Sequence, residues 1–149
     1  MKLFVLLFAA SLMPAANLGE VKTVYLLPMA GALDQYLAIQ LTTGSILQVV
    51  TDPQKADAIL TDRIGSGLKE TLAELYDEKP KDQNKDELGA GRPSVQPIAR
   101  GRGAIFLVDR KTRDVLWAAN ERPKDNSAGE IDRAASRIAS KLARSLKGK

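Results

Sequence analysis

Ser66-Gly67-Leu68-Lys69 sets a lysine three residues after a serine. On a helix that spacing brings the amine within one turn of the hydroxyl, where it favours loss of the serine proton, as in exported acyl-transfer enzymes of the Ser-Lys kind. The chain carries no Ser-Asp-Asn or Lys-Thr-Gly companion, and a folded part of about 130 residues is short for that architecture. Other familiar chemistries lack their side chains altogether. With no histidine and no cysteine among 149 residues there is no Ser-His-Asp or Cys-His apparatus and no zinc site of the usual kind. No side chain has an unperturbed pKa close to neutrality.

The remaining candidates are carboxylates and cations. Asp52, Asp57 and Asp62 could form a hard-cation or acid-base site, but Asp57 and Asp62 are five apart, which on one strand turns them to opposite faces. Asp52 before Pro53 reads as a turn cap, and Asp109 as the start of a hairpin turn. The pieces Gly65-Ser66-Gly67, Gly89-Ala90-Gly91 and Gly101-Arg102-Gly103 lack the continuation of a phosphate or dinucleotide loop and read as hinges. Arg92, Arg100 and Arg102 read as a solvated basic loop. Arg133, Arg137, Lys141 and Arg144, spaced by four, four and three, run along one side of a helix and form the best candidate for an anionic surface such as phospholipid, lipopolysaccharide or an acidic protein. No cofactor and no metal site is implied. Aromatic residues at 5 % argue against an extensive base-stacking surface, and a net charge of +4 is too small to imply a polyanion partner, so no nucleic-acid partner is expected.

The elements that must position these residues follow an exported layout. Met1 and Lys2 precede an apolar stretch from Leu3 to Met13 closed by Pro14, Ala15 and Ala16, the pattern of a secretory signal over residues 1–16 with cleavage expected after Ala16. It is too short to span a bilayer core that needs about 20 residues. The mature chain is expected to have no transmembrane helix and to be periplasmic or secreted. Without cysteine there is no lipid acceptor and no disulfide, so stability must come from a packed core.

Residues 17–149 read as one α+β domain. Lys22 to Met29 is apolar on both alternating faces and predicts a strand covered on both sides. Ala32 to Thr43 predicts a helix with Leu33, Tyr36, Leu37 and Leu41 on one stripe, and Ile46 to Thr51 a second strand parallel to the first. Ala56 to Ile64 predicts a third strand, and Leu68, Leu72 and Leu75 a short helix. From Asp77 to about Arg100 large apolar side chains almost vanish, so residues 77–100 are expected to form a mobile insertion. Gly103 to Asp109 and Asp114 to Asn120 predict a hairpin, with Trp117 facing the core beside Val115 and Ala119. Ile131, Ala135, Ile138, Leu142 and Leu146 predict a closing helix from Ala128 to Leu146. The order βαββ(α), insertion, ββα predicts one mixed sheet of about five strands with its two main helices on one face, the other face being covered by the short helix or a partner.

Val24 to Met29, the phrase Ala56-Asp57-Ala58-Ile59-Leu60 and the run from Phe106 through Asp109 to Trp117 resemble small exported hypothetical proteins of bacteria. More distantly they are similar to the periplasmic α+β modules of curli-secretion-type lipoproteins, of penicillin-binding-protein activator lipoproteins, and of the amino-terminal domain of the Tol system propeller protein. The resemblance implies a non-enzymatic binding module of the cell envelope with a protein partner. Two departures limit it: the lipid-bearing cysteine is absent, and so are the long segments of a secretion pore. Binding of anionic lipid or glycan through the closing helix is the alternative.

Overall fold

In a computed structural model the described residues are 17–76 and 103–148. The expected signal (1–16), the expected insertion (77–100), Gly89, Gly91, Arg92, Arg100, Gly101 and Arg102 lie outside them.

Five strands form one mixed sheet in the order β2-β1-β3-β4-β5. They are β1 (Thr23–Leu26), β2 (Gln48–Val49), β3 (Ala58–Thr61), β4 (Ala104–Asp109) and β5 (Val115–Asn120). The helices are α1 (Leu33–Thr43), α2 (Ser66–Tyr76) and α3 (Ala128–Lys147). β1 lies parallel to both β2 and β3, whereas β3–β4 and β4–β5 are antiparallel. This is the α+β arrangement expected from the order of elements.

The sheet is covered on both faces. One cluster joins Val24, Ala58, Leu60, Ile105 and Leu107 to Leu33, Leu37 and Leu41 of α1 and Ile131, Ala135, Ile138 and Leu142 of α3. The other joins Leu27, Ile59 and Val108 to Leu68 and Leu72 of α2. The two main helices therefore share one face and the short helix takes the other. That is why all four residues of β3 are buried: it is the central strand, lined by apolar side chains above and below. Burial of each such side chain contributes roughly 1.5–3 kcal/mol, and this supplies the cohesion that a chain without cysteine cannot obtain from cross-links.

Local chemistry sets the element ends. Ser127 caps α3 by accepting from the Glu130 amide at 3.4 Å. Glu130 and Asp132 stand in early turns and Arg144 and Lys147 in the last, the order that the helix dipole favours. The expected strands Lys22–Met29, Ile46–Thr51 and Ala56–Ile64 are each shorter than the apolar pattern. Pro28 lacks the N–H needed to extend β1. Thr61 Oγ1 donates to the Arg63 carbonyl at 3.1 Å and turns the chain out of β3. Asp57 and Asp62 thus flank β3 instead of lying on its two faces, which corrects the strand-parity reading.

The hairpin departs from simple alternation at one point. Leu107 pairs with Trp117 but Val108 pairs with Val115, leaving Leu116 as an extra residue in a bulge. Leu116 and Trp117 both pack on the α1–α3 core, while Val115 turns to the opposite face and is 47 % exposed. The expectation that Val115 and Trp117 share a face is therefore corrected; Ala119 and Trp117 do share one.

Candidate functional site

The candidate nucleophile and its lysine stand in the first turn of α2. Ser66 and Lys69 are both exposed, with no hydrogen bond between their side chains. The carboxylates are engaged with backbone. Asp52 Oδ1 accepts from the Gln54 amide at 2.9 Å and caps a short turn of 3-10 helix at Pro53–Lys55. Asp109 Oδ1 accepts from the amides of Lys111 and Thr112 at 2.8 and 2.7 Å, nucleating the hairpin turn. Asp62 accepts from the Ala30 amide at 3.0 Å. Asp57 Oδ2 accepts from Lys22 and Thr23 amides at 3.0 and 3.1 Å and so ties the start of β1 to the start of β3. Burial alone would push its carboxyl up, but the Lys22 and Thr23 hydrogen bonds with the nearby Arg110 charge outweigh that and hold it below the ordinary carboxylate value. Among the described residues no three carboxylates converge on a common point that could hold a metal ion.

The four cations of the closing helix do line one side of α3, but three of them face carboxylates. Arg133 pairs with Glu130, one turn back. Arg137 Nε donates to Glu121 at 2.9 Å, and Lys141 Nζ contacts the other oxygen of the same carboxylate. The Lys141 hydrogen bond, joined by that of Arg137, outweighs the opposing effect of burial and holds Glu121 below its usual range. Arg144 has no carboxylate partner among the described residues.

Glu121 was not legible as part of this group, because it lies just beyond β5 and reaches α3 only through the fold. Gly103 holds it there. The Glu121 amide donates to the Gly103 carbonyl at 2.8 Å, and a Cβ on Gly103, whose φ is +86°, would stand 2.3 Å from the Glu121 carbonyl oxygen. Gly103 is thus a close-approach glycine rather than a hinge.

Beside this clamp runs an open groove of about 440 Å³, lined by Trp117, Ala118, Ala119, Lys141, Arg144 and Ser145. Trp117 lines it half-buried, with its indole Nε1 donating to Ser145 Oγ at 3.0 Å. The groove opens onto the outer edge of the sheet, since among the described residues β5 pairs with β4 alone. Glu121 bonds to Gly103, so by antiparallel alternation Ala119 and Trp117 also direct their backbone groups toward β4. Ala118 and Asn120 consequently direct their N–H and C=O outward.

A second cluster gathers at the other end of the hairpin. The Tyr76 hydroxyl donates to the Pro53 carbonyl at 2.8 Å, and the guanidinium carbons of Arg110 and Arg113 stand 5.4 and 5.3 Å from its ring centre. Burial pushes the phenol up from its ordinary value despite both charges. Arg110 also donates to the Gln54 carbonyl. These contacts tie the end of α2 to the hairpin turn. No sequence pattern marked them, because the participants come from three separate segments.

No family model matches this chain, and neither a curated protein nor a solved structure does. Among the described residues no helix is long and apolar enough to cross a membrane.

Proposed function

We propose that this chain is an exported, non-enzymatic binding module of the bacterial cell envelope that takes an extended segment of a partner protein along the outer edge of β5. The observation that carries the reading is the edge itself. Sheet edges are normally blunted by brevity, charge, proline or a bulge, and the one bulge of β5 lies at its turn end, at Leu116. β2, the opposite edge, is two residues long, whereas β5 presents Val115-Leu116-Trp117-Ala118-Ala119-Asn120 with neither charge nor proline. A strand left in that condition suits β-augmentation, in which main-chain hydrogen bonds supply affinity and an adjoining groove supplies selectivity.

The alternative through the basic face of α3 has less support, because Glu130 and Glu121 already answer Arg133, Arg137 and Lys141. The Ser-Lys reading has less still, with both side chains on an open helical turn. A photoreactive side chain placed at Ala118, and for comparison at exposed Ser140 on α3, tests the proposal in cells of the source organism. One discrete protein adduct formed from position 118 and absent from position 140 is expected; equal labelling from both positions would sink the reading.

A further inference from the structure

Resting on that docking edge, we infer that the strand it takes is acidic: an extended peptide whose carboxylate side chain enters the groove and pairs with Arg144. Three observations converge. The groove wall on the α3 side is cationic, with Lys141 and Arg144 both lining it. Glu121 is already shared between Arg137 and Lys141, so its carboxylate is committed to the helix side. Arg144 is left exposed with no carboxylate partner among the described residues.

The alternation of the sheet places the two recognition elements in one ligand. Ala118 and Asn120 offer their amides and carbonyls to an added strand. Successive side chains of that strand point to opposite faces, so every second one lies on the α3 side, over Trp117 and toward Arg144. A carboxylate there replaces water on a guanidinium with a charge-assisted pair, while its neighbours need only be small enough to lie along Ala118 and Val115. A second copy of this chain is the poorer occupant: its own β5 contains no acidic residue to offer, and its groove carries the same positive sign.

The probe is a fluorescein-labelled peptide alternating valine with glutamate, compared by anisotropy with the same peptide carrying glutamine. A glutamate version N-methylated on alternate amides blocks strand addition without altering the protein. The glutamate peptide is expected to bind roughly tenfold tighter at low salt than the glutamine peptide, with the difference shrinking as salt rises. Arg144→Glu should erase that difference, and N-methylation or Ala118→Pro, which removes an outward N–H, should abolish binding of either peptide. Retained thermal unfolding and Trp117 fluorescence establish that Ala118→Pro folds. Equal affinity for the two peptides, lost on Ala118→Pro, overturns the acidic ligand and leaves the docking edge standing. Binding indifferent to Ala118→Pro and to N-methylation overturns both. Self-association abolished by Ala118→Pro with neither peptide bound assigns the edge to a second copy, and vesicle binding abolished by Arg144→Glu alone assigns the cation to lipid; each overturns the inference.

Discussion

Replacing Gly103 with alanine tests the geometry on which the Glu121 clamp depends. The added methyl would stand 2.3 Å from the Glu121 carbonyl oxygen, 2.5 Å from its carbon and 2.8 Å from the Arg122 Cα. All three are backbone atoms, so no side-chain rotation relieves the overlap. A φ of +86° adds a left-handed conformation that costs an L-residue roughly 1–2 kcal/mol. Forcing a methyl into an occupied space adds about 1–3 kcal/mol. Together the substitution should cost about 3 kcal/mol, which for a domain of this size lowers Tm by roughly 10–15 °C. Gly67→Ala is the control, because nothing lies within 4 Å of the Cβ position and the residue sits in α2. There alanine should stabilise by about 0.5–1 kcal/mol. Urea unfolding of the three proteins, with m held in common, gives the comparison directly. If Gly103→Ala unfolds within about 0.5 kcal/mol of the parent protein, the close approach between β4 and the end of β5 is wrong, and with it the placement of Glu121.

Trp117→Phe removes the indole N–H that meets Ser145 and should cost about 1 kcal/mol; Ser145→Ala should cost a similar amount, and the double substitution less than their sum. Asp57 and Glu121 are both held below their ordinary values, so each stabilises the fold above the unfolded carboxylate pKa, and that contribution is lost as pH falls through the lower folded value. Carbon-detected NMR should find both still ionised when exposed glutamates have taken up protons, and Asp57→Asn should remove about 1 kcal/mol of stability at neutral pH but little in acid, the figure being discounted for solvent screening. Glu121→Gln should lower stability slightly at neutral pH, by the contribution its depressed carboxyl makes, and free Arg137 and Lys141, raising salt-sensitive retention on anionic vesicles.

Strong periodicity made the larger elements legible. Ile131, Ala135, Ile138 and Leu142 recur at helical spacing and all four are buried in α3. Val24 to Leu27 is apolar on both alternations, as a strand covered from both sides must be, and the short helix announced by Leu68 and Leu72 covers the second face. What could not be read depends on partners distant in the chain. Asp57 looks like part of a strand until the Lys22 and Thr23 amides are brought to it from 35 and 34 residues away. Arg137 and Lys141 look like free cations on one side of a helix until the close approach at Gly103 delivers Glu121 between them. Residue types and spacing specify which side chains share a face; they do not specify which opposite charge the fold will carry there.

The bulge in the hairpin is where local sequence and proposed function meet. In an unbroken β5, Val115, Trp117 and Ala119 would share the α3 side and Leu116 would face the other way. One inserted residue brings Leu116 and Trp117 together against the α1–α3 core and turns Val115 outward. The consequence for the edge is twofold. Leu116 packs on that core beside Trp117, which stays half-exposed and lines the groove with Lys141 and Arg144. Beyond the bulge, regular pairing resumes from Trp117 to Asn120, so Ala118 and Asn120 direct their backbone groups outward beside that ring. A bulge in the middle of the exposed stretch would twist this edge away from an added strand. Placed at the turn-proximal end, it leaves the outward backbone groups of Ala118 and Asn120 usable.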